Sequence, residues 1–258
     1  MILYESKFLK KKGWICQSHA SDISDIGDVR LPTEKPVFVE VFSGSGHVSQ
    51  AAAKRGYQTF TIDFNEKFNP DIATDIERLR FSQLPNPKNV VAAWLSVPCY
   101  VHSVLSIATH WNKVSIGYRQ YYYTPKTKKA IQALRILNKA IRLIKYLNPI
   151  FYFIENPRGA LRHMPQMVFV PYRKTVSYAD YGFKVYKPTD IFTNCRHFQP
   201  IQIKGAIGRT FEEKIANKGN NYTRSLVPPG LITEVLDAFR FLEPQQEQEL
   251  PILETQNN

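Results

Sequence analysis

The chain contains little cysteine, methionine or tryptophan, with three residues of each among 258. Its cysteines, Cys16, Cys99 and Cys195, are odd in number and far apart, and no CxxC pair is present. This pattern argues against a disulfide framework and against a cysteine zinc site. We therefore expect a reducing compartment and no bound metal, and in such a compartment a lone thiol can act as a nucleophile.

Long apolar runs are also absent from the sequence. The longest ones lie near residues 90–95 and 150–154, and both are far shorter than the ~20 residues that a membrane-spanning helix needs. The N-terminal basic cluster follows its apolar residues instead of preceding a long apolar stretch, which is unlike a secretory signal. We expect a soluble, cytoplasmic chain with no membrane partner.

Acidic residues are outnumbered by basic ones, with 22 Asp and Glu against 34 Lys and Arg, for a formal net charge of +12. A sequence pI near 9.5 is typical of proteins that bind polyanions. A basic surface can also serve solubility alone. Charge by itself favours nucleic acid as the partner.

The apolar pattern predicts an α/β fold with a Rossmann-like parallel sheet. VFVEVF at 37–42 is typical of a buried strand, the turn SGSG is followed by a helix that ends at Gly56, and QTFTID at 58–63 is a second strand. Strand, glycine turn, helix and strand form one βαβ unit. Further strands are expected at 89–96, at 149–155, near 174–178 and near 189–193.

Two amphipathic helices complete the predicted core. An apolar stripe at helical spacing predicts a long helix over 125–147, with Thr124 as its N-cap and Pro125 in its first position. A shorter helix is expected at 231–242. The predicted divisions are an N-terminal extension at 1–35, a core at 36–194, a small basic insertion at 195–224, a closing helix of the core at 225–243 and a disordered tail at 244–258.

Three chemically distinctive segments follow predicted strands. FSGSG at 42–46 is a small-residue turn before a helix, Cys99 follows a strand in SVPCYVHS, and Glu155 ends a strand in FIENPRG. Active sites of open α/β sheets lie outside the carboxyl ends of the strands, so we expect these segments to share one cleft. Each segment alone also has a plain structural interpretation, as a tight turn, an inert buried cysteine or a turn-forming ENP.

These segments, in this order, resemble the motifs of the cytosine-specific DNA methyltransferases that modify ring carbon 5, especially compact, phage-like members. FSGSG, VPC, ENP and the VPP of RSLVPPGLITEVLDAF carry the resemblance, which spans about residues 36–240. The chain departs from the family pattern at Val97, where a proline is usual, and in ENP, which replaces ENV.

The resemblance implies a Rossmann-like methyltransferase fold, S-adenosylmethionine as the cofactor, Cys99 as the nucleophile and Glu155 as the acid that recognises the base. Within the cofactor site, it implies that Asp63 binds the ribose and that Asp75 lies near the adenine. The implied cofactor-binding residues are Phe42, Ser43, Gly44, Ser45, Gly46, Asp63, Asp75 and Pro98.

The resemblance also implies double-stranded DNA as the partner, with the target cytosine flipped out of the duplex, and we expect a monomer. The short basic insertion predicts a short or relaxed recognition sequence. The residues expected to contact nucleic acid are Asn156, Lys184, Lys187, Lys204, Arg209 and Arg224.

Alternative interpretations stay open at this point. The same chemistry could act on RNA, for instance on a tRNA cytosine, or the chain could be a catalytically silent DNA-binding module with this fold. A dehydrogenase-like nucleotide binder is disfavoured because FSGSG lacks the third glycine of GxGxxG. We interpret Tyr118 and the tyrosines at 121–123 as packing of a mobile loop rather than as base-stacking residues.

Overall fold

The computed structural model describes residues 34–183, 187–201 and 226–240. It contains a seven-stranded sheet and a separate two-stranded sheet. The strands are β1 (Val37–Val41), β2 (Gln58–Asp63), β3 (Ile72–Ala73), β4 (Val90–Ser96), β5 (Trp111–Gly117), β6 (Gln120–Pro125), β7 (Phe151–Pro157), β8 (Tyr172–Ser177) and β9 (Pro188–Thr193). The helices are α1 (His47–Lys54), α2 (Ile107–His110), α3 (Lys128–Leu147) and α4 (Pro229–Asp237), with short 3₁₀ turns between elements.

The large sheet has the strand order β3-β2-β1-β4-β7-β9-β8. Its first five strands pair in parallel, whereas β9 runs antiparallel to both β7 and β8. The order reverses between β1 and β4, and in a doubly wound sheet this switch point opens a crevice at the carboxyl ends of the strands. The predicted α/β class with a Rossmann-like sheet is confirmed.

Helices cover the two faces of this sheet because its central strands are apolar on both sides. On one face, α3 packs in a cluster that includes Val39, Leu95 and Ile154. On the other face, α1 and α4 pack with Phe38 and Trp94. Alternate residues of each strand therefore belong to different halves of the core, as the two-residue period of a strand requires.

The start of α3 differs from the expectation. The side chain of Thr127, not Thr124, accepts the capping hydrogen bond, which comes from the Ala130 N–H at 3.2 Å. Thr124 and Pro125 instead end β6, where pairing with β5 holds them in an extended conformation. The helix therefore begins at residue 128 because strand pairing continues to residue 125. Helix α4 begins at Pro229, two residues before the predicted start, and it ends at Asp237, before the predicted end at 242.

The prediction of a mobile, aromatic loop after residue 110 is wrong. Residues 111–125 form the β5–β6 hairpin, in which Val114 pairs with Tyr122 and Lys113 with Tyr123. Several earlier predictions lie outside the described residues: most of the extension at 1–35, most of the insertion at 195–224 and the tail at 244–258.

Candidate active site

The register of the large sheet brings the predicted segments to one edge. Ser96 of β4 is the Cα partner of Glu155 in β7, so the strand that leads to Cys99 ends beside the strand that carries Glu155. Val41, just before the FSGSG turn, pairs with Ile62, just before Asp63, and with Leu95 of β4. Neighbouring strands lie about 4.8 Å apart, so three strand ends meet around one crevice.

The FSGSG turn is built from residues with positive φ. Phe42 has φ 58°, Gly44 50° and Gly46 70°, and such angles suit glycine because it has no Cβ to clash. A Cβ added at Gly44 would meet no atom within 4 Å, so this part of the turn faces open space. Helix α1 begins immediately after the turn, and its first backbone N–H groups are unpaired within the helix.

Asp63 fastens this turn to the end of β2. Its Oδ2 accepts a hydrogen bond from the Gly44 N–H at 2.8 Å, and its Oδ1 accepts one from the Asn65 N–H at 2.9 Å. The side chain is buried. A carboxylate has about four acceptor positions, so both oxygens can still accept from a ligand hydroxyl.

Glu40 is a buried acid at this edge that the sequence analysis did not select. Its Oε2 accepts hydrogen bonds from both the backbone N–H and the hydroxyl of Ser49, near the start of α1. Burial raises the pKa of Glu40 from 4.5 to about 7, and the bonds from Ser49 oppose that rise. An acidic residue inside an otherwise apolar strand, directly before the turn, is the signal that could have identified it.

The Cys99 loop is tied to the protein on both sides of the thiol. Before it, the Asn156 Nδ2 donates to the Val97 carbonyl at 2.7 Å. After it, the N–H groups of His102 and Ser103 donate to the Cys99 carbonyl at 3.0 and 3.2 Å. Cys99 itself is exposed. The loop is therefore held while its thiol remains accessible.

Asn156, for which the sequence predicts a contact with nucleic acid, is buried, and that contact stays a prediction. Its side chain has no exposed surface, and its amide holds Val97 in place. Asn156 therefore supports the Cys99 loop from within the protein.

Glu155 is buried between a tyrosine and a lysine. The Tyr178 hydroxyl donates to Glu155 Oε1 at 3.0 Å, and the Lys187 Nζ lies 3.6 Å from the same oxygen. The Lys187 ammonium also lies over the Tyr178 ring, 4.4 Å from its centroid. Burial, with the adjacent Glu155 charge, holds the pKa of Tyr178 well above its usual value, so its hydroxyl stays a donor. No local sequence pattern marks Tyr178. Lys187, which is expected to contact nucleic acid, also forms an ion pair with Glu155 that its position in the sequence does not predict.

The FSGSG turn, the Cys99 loop and Glu155 border one cleft of about 250 Å³, whereas Asp63, Asn156 and Tyr178 lie behind these residues and do not line it. The FSGSG turn forms one wall, and Cys99 with Glu155 forms the other. Phe68, which the sequence analysis did not select, also borders it. The lining residues are Glu40, Phe42, Ser43, Gly44, Ser45, His47, Val48, Phe68, Ser96, Val97, Pro98, Cys99, Glu155, Pro157, Lys187, Leu226 and Val227.

The remaining predicted site residues lie elsewhere or outside the described residues. Asp75 is exposed, and its Oδ1 accepts from the Glu77 N–H at 2.9 Å in a turn. Gly46 begins α1 as its N-cap residue. The predicted nucleic-acid contacts Lys184, Lys204, Arg209 and Arg224 belong to segments that the structure does not describe.

Neither a membrane helix nor a metal cluster is found in the described part of the chain. Across residues 34–183, 187–201 and 226–240, no helix has both the length and the apolar character needed to cross a bilayer. The same residues contain no group of three or more His, Cys, Asp or Glu side chains placed to hold a metal ion.

Comparisons with known proteins relate the chain to methyltransferases. No family model matches it. It is 26% identical over 229 residues to a Frog virus 3 (isolate Goorha) protein named "Probable DNA (cytosine-5)-methyltransferase", a match that covers 77% of this chain and 98% of that protein.

Solved structures of methyltransferases also match. The Entamoeba histolytica methyltransferase EhMeth has 16% identity and a TM-score of 0.45, with 66% of this chain and 56% of that chain covered. The S. pombe Dnmt2 methyltransferase has 13% identity and a TM-score of 0.40, with 62% and 49% covered. The chain thus spans about half the length of these solved structures. The viral relative confirms the predicted resemblance to the cytosine-specific carbon-5 DNA methyltransferases.

Proposed function

We propose that this protein transfers a methyl group from S-adenosylmethionine to carbon 5 of a cytosine in DNA, through a covalent bond between Cys99 and the base. The observation that carries the proposal is the single cleft, in which the FSGSG turn faces an accessible thiol and a buried carboxylate. The similarity to the viral protein named as a DNA (cytosine-5)-methyltransferase supports the choice of substrate.

The turn side of the cleft has groups that fit the cofactor. The Ser43 hydroxyl is buried and has no hydrogen-bond partner among the residues that the structure describes, and a buried polar group without a partner is costly unless a ligand satisfies it. Asp63 keeps acceptor positions for ribose hydroxyls, and the space at Gly44 is open. When bound, S-adenosylmethionine would supply an electrophilic methyl group. Phe42, Ser43 and Asp63 would hold and orient it.

On the other side, Cys99 and Glu155 have complementary roles. The Cys99 thiolate adds to carbon 6 of the ring, forming an S–C bond and moving electron density to carbon 5, which becomes nucleophilic. Glu155 contacts the ring nitrogen 3 edge and the exocyclic amine, and it stabilises the charge that develops on the ring. After methylation, a base removes the proton from carbon 5 and the thiolate leaves. We assign no residue to that base.

A cytosine stacked in a duplex cannot reach this cleft. It must rotate out of the helix at a cost of a few kcal/mol, which contacts between basic side chains and phosphates offset. Lys187 lines the cleft and neutralises Glu155.

The test is a duplex that contains 5-fluorocytosine, incubated with the protein and S-adenosylmethionine. Fluorine on carbon 5 cannot leave as a proton does, so the S–C bond should persist through denaturation and map to Cys99. Cys99→Ser should form no adduct while it still binds S-adenosylmethionine in calorimetry, because the exposed thiol packs little of the protein. An adduct in the serine variant, or none in the unmodified protein, contradicts the proposal. Competition with tRNA in the methyl-transfer assay decides between DNA and RNA.

A further inference from the structure

Acidic residues are nearly missing from the middle of the chain. Between Glu77 and Asp180, Glu155 is the sole Asp or Glu, and its side chain is buried in the cleft. The acid-free surface of this stretch suits a phosphate backbone, because an exposed carboxylate would repel it. The same stretch contains sixteen basic residues: Arg78, Arg80, Lys88, Lys113, Arg119, Lys126, Lys128, Lys129, Arg135, Lys139, Arg142, Lys145, Arg158, Arg162, Arg173 and Lys174.

The β5–β6 hairpin lies within this stretch and is anchored beside Cys99. Trp111, at the start of β5, is buried, and its Nε1 donates to the Val101 carbonyl at 2.7 Å. Its ring also stacks on His102, with 5.5 Å between centroids. His102 belongs to the turn that Cys99 begins, so the base of the hairpin is attached to the loop of the candidate nucleophile.

A second anchor joins the hairpin to the segment that follows Glu155. The Tyr121 hydroxyl and the His163 Nε2 are 3.0 Å apart, and the two rings stack with 4.2 Å between centroids. Partial burial lowers the pKa of His163, and the neighbouring charges of Arg173, Arg162 and Lys113 lower it further. The hairpin is therefore fixed between the two candidate catalytic loops, in a positive environment.

The hairpin also exposes basic and apolar side chains to solvent, although the Lys113 Nζ lies 4.0 Å from the centroid of the Tyr121 ring. Tyr118 and Ile116 are 85% and 64% exposed, and Lys113 and Arg119 are exposed as well. The Arg119 guanidinium lies 5.1 Å from the centroid of the Tyr118 ring. The seven residues of β5 span about 20 Å. Over that length a DNA strand carries several phosphates, which are spaced about 3.4 Å apart along the helix axis.

The basic surface continues from the hairpin into α3. Lys126, Lys128 and Lys129 are exposed where β6 leads into this helix. Because α3 returns the chain from the carboxyl edge of the sheet to the start of β7, its first turn lies at the same edge as the cleft.

We propose that the β5–β6 hairpin, with Lys113 and Arg119 exposed toward solvent, docks the DNA substrate by its sugar–phosphate backbone next to Cys99. This inference rests on the proposed function, and it adds the surface that holds the duplex. Contacts of this kind position the duplex without reading its sequence.

The test measures how duplex affinity depends on salt in the variant Lys113→Gln/Arg119→Asn. Asparagine suits position 119 because Arg119 has φ 58°, and asparagine tolerates the left-handed region. Dissociation constants are measured by fluorescence anisotropy at several salt concentrations. Loss of two phosphate contacts should raise Kd about tenfold at low salt and reduce the slope of log K against log salt by about 2. The charge-retaining variant Arg119→Lys should keep the slope of the unmodified protein.

The matched control is Lys54→Gln, which removes an exposed positive charge at the end of α1, at the opposite edge of the sheet. Its salt slope should match that of the unmodified protein. If the hairpin variant binds with an unchanged slope while the unmodified protein still forms the fluorocytosine adduct, the docking surface is wrong and the proposed function stands. If the unmodified protein forms no adduct and binds no duplex, both proposals fail.

Discussion

Two stretches of chain that contribute most of the cleft carry opposite charge. Residues 34–77, which include the FSGSG turn, hold seven acidic residues and four basic ones. Residues 78–179, which include Cys99 and the β5–β6 hairpin, hold one acidic residue and sixteen basic ones. The formal charge of +12 therefore does not describe a uniformly basic surface.

This division matches the two ligands of the proposed reaction. S-adenosylmethionine carries a positive sulfonium, which acids beside the turn attract, whereas DNA is a polyanion that the acid-free stretch attracts. The division breaks at one place, Glu155, where an acid stands alone in the basic stretch. Because Glu155 is buried and paired with Lys187, its negative charge repels DNA phosphates little. The carboxylate still lines the cleft, where it can contact a base.

The largest expected effect comes from removing that isolated acid. Glu155→Gln should lower kcat for methyl transfer by about 10²–10³-fold, the range found when one group that stabilises developing charge is lost. Single-turnover assays with labelled methyl donor provide the measurement. Glu66→Gln, which removes an exposed acid from the other stretch, is the control and should change kcat little. Equal loss in both variants would show that net charge, rather than the position of Glu155, determines the rate.

The buried acid of the other stretch should make stability depend on pH. Glu40 has a pKa of about 7 in the folded protein against 4.5 when unfolded, so the folded state holds an extra proton between these values. The free energy of unfolding contributed by this group is complete below pH 4.5 and falls as pH rises to about 7, by about 3 kcal/mol.

Glu40→Gln should remove this dependence while its side-chain oxygen still accepts from Ser49. Urea unfolding of both proteins from pH 4.5 to pH 8 measures it, with Glu66→Gln again as the control. The stability of the variant relative to the unmodified protein should increase with pH. A difference that stays constant over this range would mean that Glu40 titrates near its ordinary pKa.

The smallest expected effect is a change in affinity for S-adenosylmethionine without a change in affinity for DNA. Asp63→Asn should weaken S-adenosylmethionine binding about tenfold, because one charged acceptor becomes an amide, while duplex affinity stays the same. Calorimetry and anisotropy measure the two affinities. The control is Asp71→Asn, since Asp71 also accepts two hydrogen bonds, but from Thr61 and not from the FSGSG turn. A loss of duplex affinity in Asp63→Asn would contradict the separation of the two sides.

The central strands of the large sheet, β1, β4 and β7, were predictable because they are buried on both faces. Segments such as VFVEVF and NVVAAWLS are mostly apolar, and the glycine turn after the first segment marks the end of its strand. The parallel order then places the ends of these strands at one edge, so a shared cleft for residue 99 and residue 155 was a direct expectation.

The hairpin was not predictable from the same rules. Most of β5 is exposed, so its sequence has no apolar alternation to mark it as a strand. Its conformation depends on anchors that are distant in sequence, above all the contacts of Trp111 with Val101 and of Tyr121 with His163. The same pairing moved the start of α3 from the predicted Thr124 cap to Thr127.

The sequence by itself determined the central strand segments, the motifs at their ends and the unequal distribution of charge, because burial and charge are properties of local residue types. The tertiary structure alone decided that Tyr178 and Lys187 reach Glu155, that Asn156 holds the Cys99 loop, and that an exposed hairpin stands beside the cleft. These hydrogen bonds join residues that are 23 and 59 positions apart in the chain, and a local sequence pattern does not predict such pairs.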